Sequence, residues 1–241
     1  MNVQQVLSGE RRWACVQADA IEFLRSLPDD SVDLLFTSPP YEKARTYGIS
    51  DDMPSGEEWV RWMVELVTAA SPKVKGLIAI NCEGQTRNYR YSCVPFLLIA
   101  DLHRAGFNLR KPAVYERDGI PGSGGPDWLK NRWEPIICVT RPGRLPWSDN
   151  TACGHPPKWP SGGKLSYRDA DGNRRHKIRG TSGYANGDAR DFRASENNLL
   201  DRAVCEIANP GNVITCDSGG GHLGSNLAHD NEAPFPIELA E

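Results

Sequence analysis

The sequence predicts an α/β protein built on a largely parallel, doubly wound sheet. Strand and helix signals alternate through the first 140 residues, the order that parallel crossover connections require. The strand candidates are continuous apolar runs rather than alternating ones, as expected of strands covered on both faces. With 241 residues, 39% of them hydrophobic, the chain can also bury one sizeable core.

Taken in order, WACVQ (13–17) reads as a short strand. DAIEFLRSLPDD (19–30) places Ile21, Leu24 and Leu27 at helical spacing and is stopped by Pro28. VDLLFTS (32–38) is a buried strand. SGEEWVRWMVELVTAAS (55–71) is a helix with Ser55 as N-cap, Glu58 three residues on, and Trp59, Met63, Leu66 and Ala70 along one face. GLIAINCEG (76–84) is another buried strand, and YSCVPFLLIADLHRAGFNL (91–109) a helix that ends at Gly106. KPAVYERD (111–118) and EPIICVTRPG (134–143) complete the strands.

Ligands of such sheets bind beyond the carboxyl ends of the strands. There stands Ser38-Pro39-Pro40-Tyr41, directly after a predicted strand. Two prolines set an extended path and remove two N–H donors, leaving the Ser38 and Pro39 carbonyls as acceptors. Tyr41 adds a flat ring on which a planar group can stack, turned to a ligand rather than to the core. Two acceptors beside a ring suit the exocyclic amine of a nucleic-acid base, which must leave the duplex stack to reach such a site. The plainer reading of the same four residues is a strand-to-turn transition.

The formal net charge of −3 hides an uneven distribution. Residues 141–195 hold eleven Lys and Arg against five Asp, a balance of +6. This stretch is rich in Gly and Pro and poor in aliphatic periodicity, and it interleaves Trp147, Trp159, Tyr167 and Tyr184. Basic side chains with aromatics on an irregular backbone suit a phosphate-binding surface; a solvated loop has the same composition. The seven cysteines show no CxxC spacing and read as small buried hydrophobes. Cys153, His155 and His176 lack a fourth ligand, so no metal site is assigned. No run approaches the roughly 18 apolar residues of a spanning helix, and the first residues lack a secretory signal's apolar stretch, so a cytoplasmic protein is expected.

TSPPY (37–41) resembles the catalytic motif of the amino-group DNA methyltransferases, and its serine resembles the cytosine-N4 type, where adenine-N6 enzymes usually carry Asp or Asn. ADAIEFLRSLPDDSVDLLFTSPPY (18–41) is similar to the family's leading segment, and NEAPFPIELAE (231–241) to the segment preceding its main cofactor loop. This order is that of the circularly permuted β-type arrangement. The resemblance implies a Rossmann-like sheet that uses S-adenosylmethionine, with an irregular inserted DNA-recognition region. It assigns catalysis to Ser38, Pro39, Pro40 and Tyr41, and cofactor contact to Asp19, Asn231, Glu232, Pro234 and Phe235. Asp19 reads equally well as a helix cap. DNA contact falls to Arg168, Arg174, Arg175, Lys177 and Arg179. The division expected is a catalytic half at 1–140, a target-recognition insertion at 141–200 and the start of the cofactor-binding half at 201–241.

With no Cys after the prolines, the covalent route of carbon-5 cytosine methylation is disfavoured. Glu134 reads either as a substrate-orienting group or as a strand-edge charge. GIPGSGGPDW (119–128) is a flexible loop near the site, since it lacks the Lys-Ser/Thr of a phosphate loop. The family's Asp-Pro-Phe-x-Gly-x-Gly segment does not follow residue 241. CDSGGGHLGS (216–225) offers an Asp and glycines, but upstream of the expected place and after a short strand, NVIT (212–215). The resemblance therefore implies that C-terminal strands are missing, that two apolar strands are left with open edges, and that the isolated chain does not bind S-adenosylmethionine tightly and is inactive until a longer reading frame or a second chain supplies what is absent. The partners implied are double-stranded DNA and a cognate restriction endonuclease. Adenine-N6 methylation, or a DNA-binding remnant without catalysis, are the competing readings.

Overall fold

The computed structural model describes residues 3–42, 54–118, 124–127, 129–149, 152–156, 164–168, 171–178, 207 and 210–217. Its elements are α1 (Val3–Leu7), α2 (Ala20–Ser26), β1 (Val32–Thr37), α3 (Glu57–Ala70), β2 (Val74–Asn81), β3 (Thr86–Arg87), β4 (Arg90–Tyr91), α4 (Val94–Arg104), β5 (Asn108–Leu109), β6 (Ala113–Asp118), β7 (Trp133–Thr140), β8 (Lys164–Arg168), β9 (Arg174–Ile178) and β10 (Val213–Asp217). No helix among the described residues is long and apolar enough to cross a membrane.

The main sheet runs β1-β2-β7-β6-β10, with β5 paired to β7. It is mixed rather than largely parallel. β1–β2 and β6–β10 are parallel, whereas β2–β7, β5–β7 and β6–β7 are antiparallel. The cause lies in β7: among the described residues no helix separates it from β6, so it returns alongside as an antiparallel partner. That reversal brings the start of β7 to the carboxyl ends of its neighbours, with Asn81 opposite Ile136 and Tyr115 opposite Glu134.

Strand alternation divides the apolar residues between two faces. Ile78, Ile80, Ile137 and Val139 join α2, α3 and α4 in the main core, around Trp59, Met63, Val67, Leu98 and Leu102. Ala79, Ile136 and Cys138 turn to the other face with Tyr115 and Cys216. Each large side chain taken fully from water contributes about 1.5–3 kcal/mol.

Several local expectations are overturned. Residues 13–17 form no strand, and Trp13 and Val16 are exposed; no neighbouring strand among the described residues offers a ladder. Among the described residues β1 is the edge strand, as the missing strands imply for it, but it is not the buried strand its apolar run suggested, with Leu34 54% exposed. The α3 cap is Gly56 at φ +58°, not Ser55, and it makes no side-chain capping bond. The acceptor for the Gly56 N–H is instead the Glu42 carboxylate at 2.7 Å. Cys82, Cys138 and Cys216 are buried, but Cys15, Cys93 and Cys153 are exposed.

The chain divides into two compact units, Met1–Ser148 with Asn212–Glu241, and Asp149–Gly211. The second unit contains a hairpin, β8–β9, in a stretch whose composition suggested only irregular backbone. NVIT belongs to β10, which extends through Cys216 and Asp217 and lies at the opposite end of the sheet from β1.

Candidate active site

Ser38-Pro39-Pro40-Tyr41 leaves the carboxyl end of β1. The loop is held from below by α3: the Trp59 indole N–H, on a fully buried side chain, donates to the Pro40 carbonyl at 2.9 Å. Among the described residues no such donor reaches the carbonyls of Ser38 and Pro39, so the acceptors read from the sequence survive at those two positions. Glu42 ties the next turn of the loop. It is buried, bonds the Gly56 amide through Oε2, accepts from the Gln85 amide at 3.3 Å through Oε1, and receives the Gln85 side-chain amide on its own carbonyl.

Tyr41 differs from expectation in part. Its ring packs against the main core rather than standing clear of it. Its hydroxyl donates to Glu134 Oε2 at 2.6 Å and accepts from Asn81 Nδ2 at 3.0 Å and, more weakly, from the Ser38 hydroxyl at 3.3 Å. Asn81 Nδ2 also donates to Glu134 Oε2 at 2.7 Å, and Arg117 Nη1 lies 3.0 Å from Glu134 Oε1. Burial, reinforced by the negative charge and hydrogen bond of Glu134, pushes the Tyr41 phenol well above its ordinary range, so it remains a donor at any working pH. Burial also raises the Cys82 thiol, with Glu83 and Glu134 adding to it, which keeps this thiol inert.

Glu134 is thus neither on the surface nor a simple edge charge: it is 5% exposed and Asn81 is 3% exposed. Two buried atoms beside it, Asn81 Oδ1 and Arg117 Nε, make no hydrogen bond. Asn81, Arg117 and Glu42 were not singled out from the sequence. The available signal was a polar residue ending or opening an apolar run, as in GLIAIN and EPIICV.

The remaining candidates scatter. Asp19 caps α2, its Oδ1 accepting from the amides of Ile21 and Glu22 at 3.0 Å each, while among the described residues no donor reaches Oδ2 on this exposed side chain. Arg168, Arg174, Arg175 and Lys177 lie on the β8–β9 hairpin, with Arg168 opposite Arg174 and Tyr167 opposite Arg175. Arg179, Asn231, Glu232, Pro234 and Phe235 lie outside the described residues, as do most of the 119–128 loop and the glycines of 218–225.

Comparison with known proteins bears on the whole arrangement. The DNA methylase family model for N6 and N4 enzymes matches residues 32–193. The chain is 26% identical over 152 residues to the type II methyltransferase M.SfiI of Streptomyces fimbriatus, covering 54% of this chain and 36% of the relative. It is 26% identical over 129 residues to the type II methyltransferase M.MwoI of Methanothermobacter wolfeii, covering 49% of this chain and 19% of the relative. The chain therefore spans well under half the length of these two relatives. Its fold is similar to that of PvuII DNA methyltransferase, described as cytosine-N4-specific, with a TM-score of 0.52 and 17% identity over 92% of this chain and 65% of that one.

Proposed function

The chain belongs to the DNA methylase family of N6 and N4 enzymes, and from that premise we propose that it methylates the exocyclic amine of a DNA base, cytosine N4, using S-adenosylmethionine. The observation that carries the cytosine assignment is Ser38. It places a hydroxyl at the carboxyl end of β1, next to a proline carbonyl that no described donor engages.

A base amine is a poor nucleophile because its lone pair is delocalised into the ring. Hydrogen bonds from its two protons to the Ser38 hydroxyl and the Pro39 carbonyl favour the tetrahedral nitrogen whose lone pair is free to attack. Tyr41 holds the flipped base against its ring, which the core and Glu134 fix in place. Bound S-adenosylmethionine supplies an electrophilic methyl group. Asp19 is the proposed contact to the cofactor adenine, since no described group engages its Oδ2; Asn231, Glu232, Pro234 and Phe235 are the further contacts proposed. Arg168, Arg174, Arg175, Lys177 and Arg179 bind DNA phosphates, and a cognate endonuclease is the partner such an activity suits.

The test is direct. The chain, alone and with the longer reading frame or second chain that the resemblance implies, is incubated with unmethylated DNA and saturating S-adenosylmethionine, and the digested nucleosides are read by mass spectrometry. N4-methylcytosine is the expected product. N6-methyladenine alone would transfer the assignment to adenine, and no methylated base would favour a DNA-binding remnant.

A further inference from the structure

We infer that Glu134 is a positioning residue for methyl transfer: acting through Tyr41, it turns the Ser38 hydroxyl so that its lone pairs, not its proton, face the base amine. This role rests on the proposed use of Ser38 as an acceptor and adds a residue to it.

The direction of each bond follows from the protons available. A carboxylate only accepts hydrogen bonds. Glu134 is anchored on one oxygen by Arg117 at 3.0 Å and on the other by Asn81 Nδ2 at 2.7 Å, two groups that only donate. The Tyr41 hydroxyl, 2.6 Å from Glu134 Oε2, must place its one proton there. Its oxygen is then an acceptor toward Asn81 Nδ2 at 3.0 Å and Ser38 Oγ at 3.3 Å. Ser38 in turn points its single proton at Tyr41, which leaves its lone pairs for an incoming N–H. The upward shift of the Tyr41 phenol keeps this direction unchanged across working pH.

The fold is arranged to deliver these groups. Ser38 and Tyr41 follow β1, Asn81 ends β2, Glu134 begins the antiparallel β7, and Arg117 is near the end of β6. These are four successive strands of the sheet, each contributing at the same end. A glutamine at 134 keeps the volume but carries its own N–H donors. One of these can face Tyr41, release its proton toward Ser38, and turn the serine proton toward the amine, where it opposes the base's own N–H.

Four forms of the full chain are compared on unmethylated plasmid DNA: wild type, Glu134→Gln, Tyr41→Phe and the double variant. kcat, KM for DNA, S-adenosylmethionine affinity by calorimetry and the thermal midpoint are measured for each. kcat is expected to fall about 10- to 100-fold in each single variant, the effect of a lost or inverted hydrogen bond to a reacting group. KM and cofactor affinity should stay within about twofold, and the double variant should be no slower than the slower single, because both act through one hydroxyl. Single variants within about threefold of wild type, or losses that multiply in the double variant, would overturn the inference. If Glu134→Gln does not fold, Tyr41→Phe decides alone, since it leaves Glu134 paired with Asn81 and Arg117. A wild type inactive even with the longer reading frame or second chain supplied removes the proposed function and this inference together, whereas an active wild type with indifferent variants removes only the role of Glu134.

Discussion

Tyr41 joins stability to the site at the level of a single residue. Its phenol is raised above the ordinary value near 10, so the unfolded chain ionises first as pH rises. The contribution is fully present below about pH 10 and is lost above it, as the unfolded state gives up a proton that the native state keeps. Urea melts between about pH 9.5 and 11 should therefore show wild-type stability falling more than that of Tyr41→Phe, by about 1.2 kcal/mol over the interval, with the slope difference approaching about 1.4 kcal/mol per pH unit at its upper end. Equal slopes would mean that the phenol is free to ionise in the native protein. The sequence identified Tyr41 as an aromatic beside the prolines but not what its hydroxyl meets, because Glu134 lies 93 residues further along the chain.

Between elements, the close approach of β1 and β2 depends on Gly76. A Cβ there would stand 2.2 Å from the Asp33 carbonyl oxygen, beside the register shift between Val32 and Leu34. Neither neighbour can yield, since both are backbone. Gly76→Ala should cost at least about 2 kcal/mol and displace the Ser38 loop with β1. Gly106→Ala meets open space and carries only the strain of φ +84°, so about 1 kcal/mol is expected. Denaturant midpoints of the two variants give the comparison, and equal losses would contradict the packing described. The sequence marks Gly106 as a helix terminator, but only the structure shows that Gly76 is a point where two strands touch.

For the whole molecule, the question is whether the basic residues of the Asp149–Gly211 unit bind DNA. Arg174, Arg175 and Lys177 lie close together on β9, and phosphate neutralisation releases counterions. Affinity should fall steeply with salt, and reversing these three to Glu should flatten the log–log slope by about one for each phosphate no longer neutralised. Fluorescence anisotropy across a salt series measures it. An unchanged slope would make the hairpin a solvated surface.

The spacing in 19–30 and 55–71 by itself determined two helices and their buried faces, and 91–109 a third helix that ends before Gly106, because amphipathic spacing and stop signals are local properties; that Asn108–Leu109 adds a strand was not legible. The strand-then-SPPY order likewise located the candidate catalytic loop, since a strand's carboxyl end can be read without knowing its neighbours. Tertiary structure alone decided that residues 13–17 form no strand, that β7 runs antiparallel, and that the side chain at the start of α3 is that of Glu42 rather than Ser55. It also decided the Tyr41–Asn81–Glu134–Arg117 cluster. A strand needs a ladder partner, a cap needs an acceptor at the right distance, and a buried carboxylate needs donors on every side. Those partners come from strands remote in sequence, such as Asn81 and Glu134 at a separation of 53 residues, and only the order of the sheet brings them together.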